Sequence, residues 1–521
     1  MSGATVRDGI ASGARSALQL PALLALLSVL VTAILWRRGL ELGDEGVISL
    51  GAWRILRGEV PYRDFLEIIP PLPLLAQAAL FKLAGVTLAA SRALAVLYSG
   101  LLAFAAWRLS ARLLRGPLLQ ALPAATLVSC GVASWLLPSH HWLADLLALA
   151  CALAALRALE GGRGGWAFAA GAAAGTCALT LQDQGALLAA GLLAWMAWAP
   201  KRGQRLRASG AALAGVAAAG APVAVWLLPR VSPAALIYDW IVFPLTRYGA
   251  LPGNADAFAG AWREVARAWA TVTSPARGAL LALLTTKAVL VLLVPAAAVA
   301  VLSLVLSRLT REERQRAGLL VVLLAAFYLP ALRRPGLVNF QWALPAGALA
   351  LAWALQTLAV RAGGARAALT RWVPACLILL FVGAGLAVLP PLWSGRQAYV
   401  VSRAGTAGPL PEGRARSIQG LLDALEAKTM PGEPVFCAGF LPMVNVLALC
   451  PNPAPLNVFV PPGYTTPEQV SAVIAVLEKE QVRWVVRPAD FSGGERWDAY
   501  LADRFRPAYG DGRYELWKRD E

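Results

Sequence analysis

The chain has 521 residues, of which 58% are hydrophobic and only 15% are charged, whereas roughly a quarter of the residues of a soluble protein are charged. The charges are kept out of long apolar runs, which excludes an ordinary soluble protein and predicts a polytopic membrane protein. The net charge of +17 would suggest a nucleic-acid partner in a soluble protein. We expect none, because most arginines lie in short loops between apolar runs, where they set membrane topology.

Eleven apolar runs approach the ~20 residues that cross a bilayer as a helix. The first could pass for a signal peptide, but its length and the absence of a small-residue cleavage site predict an uncleaved helix. The runs cover residues 18–36, 88–109, 117–137, 142–159, 165–181, 185–199, 209–229, 278–306, 318–333, 340–360 and 372–391. We therefore expect a mainly α-helical membrane domain over residues 1–391.

Basic residues in the short loops predict the orientation of these helices. If the N-terminus is cytoplasmic, the arginine-rich loops around 201–207 and 308–316 lie inside, and the opposite short loops near 138–141 and 182–184 carry no arginine or lysine. The loop with Arg333 and Arg334 is the exception. An odd number of spans then places the three long regions on the extracytoplasmic side; they are the loops 37–87 and 230–277 and the C-terminal region 392–521.

The C-terminal region, residues 392–521, differs in pattern from the membrane domain. Residues 434–437, 482–487 and 513–518 read as short strands and residues 466–480 as a helix, which predicts a small extracytoplasmic α/β domain. Cys437 and Cys450 could form a disulfide in an oxidising compartment or remain as two buried thiols. The sequence leaves both alternatives open.

The loop 37–87 carries the most informative polar residues. Asp44 and Glu45 follow the first apolar run within a few residues, and Arg63 lies beside Asp64. The amphipathic stretch 46–57 and the stretch that opens at Pro70-Pro71 predict two interfacial helices. Without further information, solvated loop charges would explain the two adjacent carboxylates.

The loop resembles the corresponding part of the GT-C glycosyltransferases, which are membrane enzymes that use polyprenyl-phosphate-linked sugars. Among them it is most similar to the bacterial branch related to protein mannosyltransferases and aminoarabinose transferases. The matching pieces are Gly43-Asp44-Glu45-Gly46, GEVPYRDF from Gly58 to Phe65, Pro70-Pro71-Leu72, Arg92 at the start of the next span, and more loosely the helices and the C-terminal domain. The first-loop motif is fairly specific, whereas the rest is mainly topology.

The resemblance implies a glycosyltransferase of the bacterial cytoplasmic membrane that moves a hexosyl or pentosyl group to an acceptor at its outer face. Asp44 corresponds to the family's first-loop acidic residue, a general base in an inverting displacement. Glu45 would orient the acceptor or share a hydrogen bond with Asp44. Asp64 would be a second active-site carboxylate, or it would only form an ion pair with Arg63.

The departing polyprenyl phosphate needs cationic or polar partners. Arg333 and Arg334 are candidates, with interfacial snorkelling as the alternative. Related enzymes often have a histidine or tyrosine shortly afterwards, whereas this chain has Asn339 and Gln341 there. The remaining candidates for substrate binding are His140, His141 and Asp183, for which a neutral interfacial pair and a loop cap are the alternatives.

The sequence predicts no metal site and no cofactor, because the only two histidines are adjacent and no CxxC is present. A transient divalent cation beside the phosphate is left open. Two other functional classes compete with the glycosyltransferase: a multi-pass transporter and a non-catalytic scaffold for envelope assembly. The nearly charge-free spans disfavour a transporter, with Asp145 as the main exception. The sugar and the acceptor are not indicated.

Overall fold

The computed structural model of the chain describes residues 4–161, 164–248, 263, 266–267, 269–306, 309–333, 337–361, 363–387 and 396–520. The described part is mostly helical, because Ala- and Leu-rich stretches favour helix and because a helix satisfies its own backbone in a bilayer. In chain order, the helices before the C-terminal domain are α1 (Ala4–Leu35), α2 (Asp44–Leu56), α3 (Pro71–Ala84), α4 (Leu88–Leu113), α5 (Pro117–Cys130), α6 (His140–Gly161), α7 (Gly164–Ala178), α8 (Gln182–Trp198), α9 (Arg205–Leu227), α10 (Pro233–Ile237), α11 (Phe243–Thr246), α12 (Pro275–Leu306), α13 (Arg311–Arg333), α14 (Leu337–Arg361) and α15 (Val373–Leu386).

Each of the eleven predicted runs coincides with a helix over most of its described residues. Eight helical stretches of the described chain are long and apolar enough to cross a membrane. These eight are Leu88–Leu113, Pro117–Ser134, His140–Gly161, Arg202–Leu227, Pro275–Leu306, Arg311–Leu332, Val338–Arg361 and Ala368–Leu386. The other three runs fall on α1, α7 and α8, of which α7 and α8 have only 15 and 17 residues. The predicted fold class is confirmed, whereas the count of eleven spans and their orientation stay predictions.

The loop 37–87 contains the two short helices that the sequence predicts, α2 and α3. Helix α3 opens with Pro71 in its first turn, where a missing N–H costs no hydrogen bond. Nine of the 13 residues of α2 are buried by other parts of the protein, and its expected position at the membrane interface stays a prediction. The helix packs between α3 and the C-terminal domain, and both of its faces are therefore covered.

The C-terminal region forms an α/β domain around two sheets. Strands β1 (Gln397–Ser402) and β2 (Gly405–Pro411) make an antiparallel pair. A second sheet has the order β3-β4-β6-β5, in which β3 and β4 are parallel and the other neighbours antiparallel. Its members are β3 (Val435–Cys437), β4 (Trp484–Pro488), β5 (Phe505–Gly510) and β6 (Tyr514–Arg519), with helices α16 (Glu412–Lys428), α17 (Pro442–Ala448), α18 (Pro467–Lys479) and α19 (Glu495–Arg504) between the strands.

The sequence predicts β3, β4, β6 and α18 to within a few residues, and α18 is capped as its Thr-Pro start suggests. The hydroxyl of Thr466 accepts a hydrogen bond from the backbone N–H of Gln469, whose side chain accepts one from the backbone of Thr466. The structure adds β1, β2, β5, α16 and α19. Cys437 and Cys450 are both buried free thiols, so the alternative without a disulfide is the one found in the structure.

The C-terminal domain is joined to the loop 37–87 by backbone hydrogen bonds. The N–H of Met443 donates to the carbonyl of Leu42 over 2.9 Å, and the N–H of Leu66 donates to the carbonyl of Pro455 over 3.0 Å. At the far end of α2, Arg54 donates to the carbonyl of Ala454 over 2.9 Å. The domain therefore holds α2 near both of its ends.

Candidate functional site

A cavity of about 1070 Å³ lies where the membrane helices, the loop 37–87 and the C-terminal domain meet. A space of this size accommodates a drug-sized or larger ligand. Its polar lining residues in the described part are Asp44, Glu67, Ser139, His140, His141, Asp145, Gln182, Asp183, Gln184, Tyr248, Asn339, Asn457 and Tyr464. The cavity therefore brings together five of the eleven sequence-predicted site residues from distant parts of the chain, namely Asp44, His140, His141, Asp183 and Asn339.

Asp44 is the first residue of α2 and lines this cavity. Its side chain is exposed, whereas Gly43, Glu45 and Gly46 on either side are buried. A methyl group on Gly46 would lie 2.2 Å from the backbone nitrogen of Met443. Gly46, two residues after Asp44, thus lets α2 approach the C-terminal domain closely, which leaves the Asp44 carboxylate at the cavity wall.

Glu45 does not line the cavity, although it is the neighbour of Asp44. It is fully buried and forms a bidentate ion pair with Arg92 of α4, with nitrogen–oxygen distances of 2.8 and 2.9 Å. Arg92 also donates to the carbonyls of Trp36, Arg38 and Gly39. The pair therefore fastens the segment before α2 to α4, a positioning role that the sequence did not suggest.

Arg63 and Asp64 pair with each other and are not among the residues that line the cavity. Two hydrogen bonds of 2.9 and 2.7 Å join them at a partly exposed position. The Arg63 guanidinium holds the pKa of the Asp64 carboxyl below its usual range, helped by the backbone N–H of Val60. This geometry matches the local ion pair rather than a second active-site carboxylate.

Among the proposed substrate-binding residues, His140, His141, Asp183 and Asn339 line the cavity. His140 and His141 open α6, and Asp183 lies in the first turn of α8. Gln341 is described but does not line the cavity. Arg333 is the last residue of α13. Its side chain and the whole of Arg334 lie outside the part of the chain that the structure describes.

The sequence missed Glu67, a buried carboxyl that lines the cavity. Its Oε1 accepts from the N–H of Ile69 over 3.0 Å, and its Oε2 accepts from the amide of Asn457 over 3.4 Å. Burial raises the pKa of Glu67 to about 7, although these hydrogen bonds lower it in part. A single carboxylate within the apolar run FLEIIPP was the signal that could have pointed to it.

Two further groups join Glu67 to other elements around the cavity. The N–H of Glu67 donates to the carboxyl of Asp239 over 3.3 Å, and burial raises the pKa of Asp239 to about 7. Asn457, from the C-terminal domain, accepts from Arg54 over 3.1 Å while it donates to Glu67. These contacts link α2, the loop 37–87, the turn between α10 and α11, and the C-terminal domain into one polar network.

Asp145 and Gln184 form a polar pair at the start of the membrane helices. The amide of Gln184 donates to Oδ1 of Asp145 over 3.1 Å, and both residues are buried and line the cavity. The sequence pointed to Asp145 only as an unusual charge in an apolar run. Within the described ranges, no group of three His, Cys, Asp or Glu side chains is arranged to hold a metal ion.

The cavity can therefore present several carboxyl groups, an amide-bearing wall and two imidazoles to a ligand. An exposed carboxylate such as Asp44 can accept a proton from a bound hydroxyl group, which is the requirement for a general base. Apolar and aromatic residues supply the rest of the wall, among them Trp135, Trp342, Phe440 and Phe491. Polar groups set in a mainly apolar wall are typical of a small-molecule or lipid site.

The solved structures that are similar to the chain include those of two proteins. The chain is similar to ArnT from Cupriavidus metallidurans bound to undecaprenyl phosphate, with 16% identity, a TM-score of 0.47, and coverage of 94% of this chain and 97% of that one. The apo state of the same protein matches with 14% identity, a TM-score of 0.44 and the same coverage. The Archaeoglobus fulgidus oligosaccharyltransferase, in complex with Zn and sulfate, matches with 13% identity and a TM-score of 0.49, covering 91% of this chain and 68% of that one.

No family model matches the chain, and no curated protein matches it in sequence. All three TM-scores are below 0.5 and all three identities are below 25%, so these likenesses assign no activity to the chain. Over the residues that it describes, the structure defines a mostly helical protein, with eight helices long and apolar enough to cross a membrane and a cavity where helices meet an α/β domain.

Proposed function

We propose that the protein is a glycosyltransferase that moves a hexosyl or pentosyl group from a polyprenyl-phosphate-linked donor to an acceptor hydroxyl. The observation that carries the proposal is the position of Asp44. Its motif, Gly43-Asp44-Glu45-Gly46, resembles that of the GT-C enzymes. In the structure, Asp44 is the one residue of this motif that lines the cavity, while its neighbours are buried and position the helix.

In the proposed reaction, the Asp44 carboxylate takes the proton of the acceptor hydroxyl as its oxygen attacks the anomeric carbon. The new glycosidic bond forms as the bond from that carbon to the phosphate oxygen breaks, and the polyprenyl phosphate leaves with the electron pair. A single displacement of this kind inverts the configuration at the anomeric carbon. It requires one base, so a second carboxylate at glycosidase spacing is not needed.

The proposed setting is the outer face of the bacterial cytoplasmic membrane. A polyprenyl chain is soluble only in the bilayer, so its phosphate must be reached where membrane helices meet polar chain. The cavity has this position, because the first turns of α6 and α8 and the C-terminal domain all line it. The cytoplasmic N-terminus and the extracytoplasmic C-terminal domain are part of the proposal and rest on the distribution of arginines.

The test compares Asp44→Asn with a matched control, Asp64→Asn. Both changes neutralise an aspartate in the loop 37–87, but only Asp44 lines the cavity. In membranes supplied with lipid-linked sugar, we expect Asp44→Asn to lower transfer by at least about 100-fold, the lower end of general-base effects, and Asp64→Asn to leave it nearly unchanged. Unaltered transfer by Asp44→Asn would exclude the proposed base.

A further inference from the structure

The described lining of the cavity is rich in carboxyl groups and poor in cations. It contains the acidic residues Asp44, Glu67, Asp145 and Asp183, and among its described residues no arginine or lysine. A phosphate group that enters such a site is repelled unless a positive charge faces it. Within the described lining, only the two histidines of α6 can carry that charge.

The two histidines differ in their surroundings. The imidazole of His141 is stacked on the indole of Trp342, with ring centroids 3.4 Å apart and planes inclined by 19°. Trp135 lies 5.1 Å from Trp342 and 6.4 Å from His141, measured between ring centroids. His140 packs against His141 at 4.2 Å, and its Nδ1 atom is buried. His141 is therefore the histidine that stacks on a tryptophan ring. His140, His141, Trp135 and Trp342 all line the cavity.

A cation over the face of a tryptophan is attracted by the ring quadrupole, and the attraction grows as water is excluded. Trp342 lies within the range of this attraction, so it would stabilise a positive charge at His141, and the imidazole ring cannot turn away without breaking the stack. The backbone N–H of His141 donates to the hydroxyl of Ser139 over 3.2 Å, which fixes the first turn of α6. Imidazole is also the side chain that changes charge near neutral pH.

We propose that His141, held against Trp342, is the cation that binds the phosphate of the lipid substrate, so that affinity for the phosphate depends on the protonation of this imidazole. The inference rests on the proposed function and names the phosphate subsite within the same cavity. It distinguishes His141 from His140, and it gives Trp342 the role of positioning the imidazole.

Other groups around the cavity also titrate or carry charge. Helix α6 contributes His140 and Asp145, α8 contributes Asp183, and α2 contributes Asp44, whereas the described lining residues of α13 and α14 are uncharged. Glu67 and Asp239, which contacts it, are the main competitors, because burial raises the pKa of each to about 7. As the pH rises, Glu67 gains negative charge while a histidine loses positive charge, and both changes weaken phosphate binding.

The experiment titrates the purified full-length protein with undecaprenyl phosphate and, separately, with undecaprenol, following tryptophan fluorescence at pH 6 and pH 8. For the wild type we expect undecaprenyl phosphate to bind more tightly than undecaprenol and more tightly at pH 6 than at pH 8. For His141→Gln we expect about tenfold weaker binding of the phosphate at pH 6, the size of a lost charge-assisted hydrogen bond, and unchanged binding of undecaprenol.

Four control variants separate the groups involved. His140→Gln retains the wild-type dependence on pH if His141 is the cation. Glu67→Gln and, separately, Asp239→Asn retain the difference in phosphate affinity between the wild type and His141→Gln, because each removes one competing titration. Trp342→Phe preserves an aromatic ring and shows an intermediate affinity at pH 6. Inorganic phosphate, added as a competitor, displaces the lipid only if the phosphate alone is recognised.

The outcomes distinguish the inference from the proposed function. If the wild type does not prefer undecaprenyl phosphate to undecaprenol, the proposed function fails. If the wild type prefers undecaprenyl phosphate but His141→Gln binds this lipid as tightly as the wild type does at both pH values, only the inference about His141 is wrong. Loss of binding in Arg333→Gln or Arg334→Gln with full binding in His141→Gln would place the cation on that loop instead.

Discussion

Replacement of Glu45 by glutamine separates the roles of two adjacent carboxylates. Glu45 is 0% exposed and Arg92 is 2% exposed, so Glu45→Gln leaves the Arg92 guanidinium buried without its counter-charge. Asp44→Asn, one residue earlier, changes an exposed group at the cavity wall. We expect the first change to lower stability and the second to lower sugar transfer.

The magnitude follows from the partners of Arg92. Removal of one member of a buried ion pair costs about 3–5 kcal/mol. Three carbonyl acceptors, those of Trp36, Arg38 and Gly39, remain in place and keep part of the charge satisfied, so we expect a value near the lower limit, about 3 kcal/mol. At about 2.1 cal/mol/K per residue, unfolding of the 521-residue chain changes the entropy by roughly 1.1 kcal/mol/K, so 3 kcal/mol corresponds to a fall in Tm of roughly 3 °C.

The assay is thermal unfolding of the full-length protein in detergent, followed by circular dichroism, together with sugar transfer at a temperature where each variant is folded. Asp44→Asn should unfold within about 0.5 °C of the wild type, since exposed substitutions change stability by about 0.5 kcal/mol or less. A Glu45→Gln protein that is as stable as the wild type but transfers no sugar would refute this reasoning. It would place Glu45 on the substrate.

Three other perturbations probe the packing and the buried groups. Gly46→Ala would put a methyl group 2.2 Å from the backbone nitrogen of Met443; we expect destabilisation of at least about 1–3 kcal/mol and faster proteolysis of the C-terminal domain. Burial raises the pKa of Glu67 to about 7, so the folded protein keeps this proton where the unfolded chain has lost it. The free energy of unfolding should therefore fall by an amount on the order of 3 kcal/mol as the pH rises from about 4.5 to about 7. Glu67→Gln should remove this contribution. Unfolding measured across that pH range tests both statements. Burial also raises the pKa of the Cys437 and Cys450 thiols, and we expect both to resist alkylation at pH 8 until the protein is denatured, as mass spectrometry can show.

The sequence alone determined the elements that depend on local patterns. Each of the eleven apolar runs is helical over most of its described residues, because a run of Ala and Leu without charges favours a helix. The Thr-Pro start at residues 466–467 capped a helix, and three of the predicted strands formed within a few residues of their expected ends. The Gly43-Asp44-Glu45-Gly46 motif also located the part of the chain that lines the cavity, because its resemblance to known enzymes is a property of sequence.

The tertiary structure decided which of these residues share a site. Asp44 and Glu45 are adjacent carboxylates that the sequence alone does not distinguish. A helix turns successive side chains by about 100°, so Asp44 reaches the cavity and Glu45 reaches Arg92. Helix α2 reads as amphipathic and interfacial, yet the C-terminal domain covers its second face.

Contacts between distant residues carry no local signal at all. His141 and Trp342 are about 200 positions apart, and Glu67 and Asn457 are 390 apart. Whether a carboxyl is solvated or buried depends on what packs over it, and desolvation then sets its pKa. The sequence therefore supplied the helices and the motif, and the packing of the C-terminal domain against them created the cavity and fixed the charges within it.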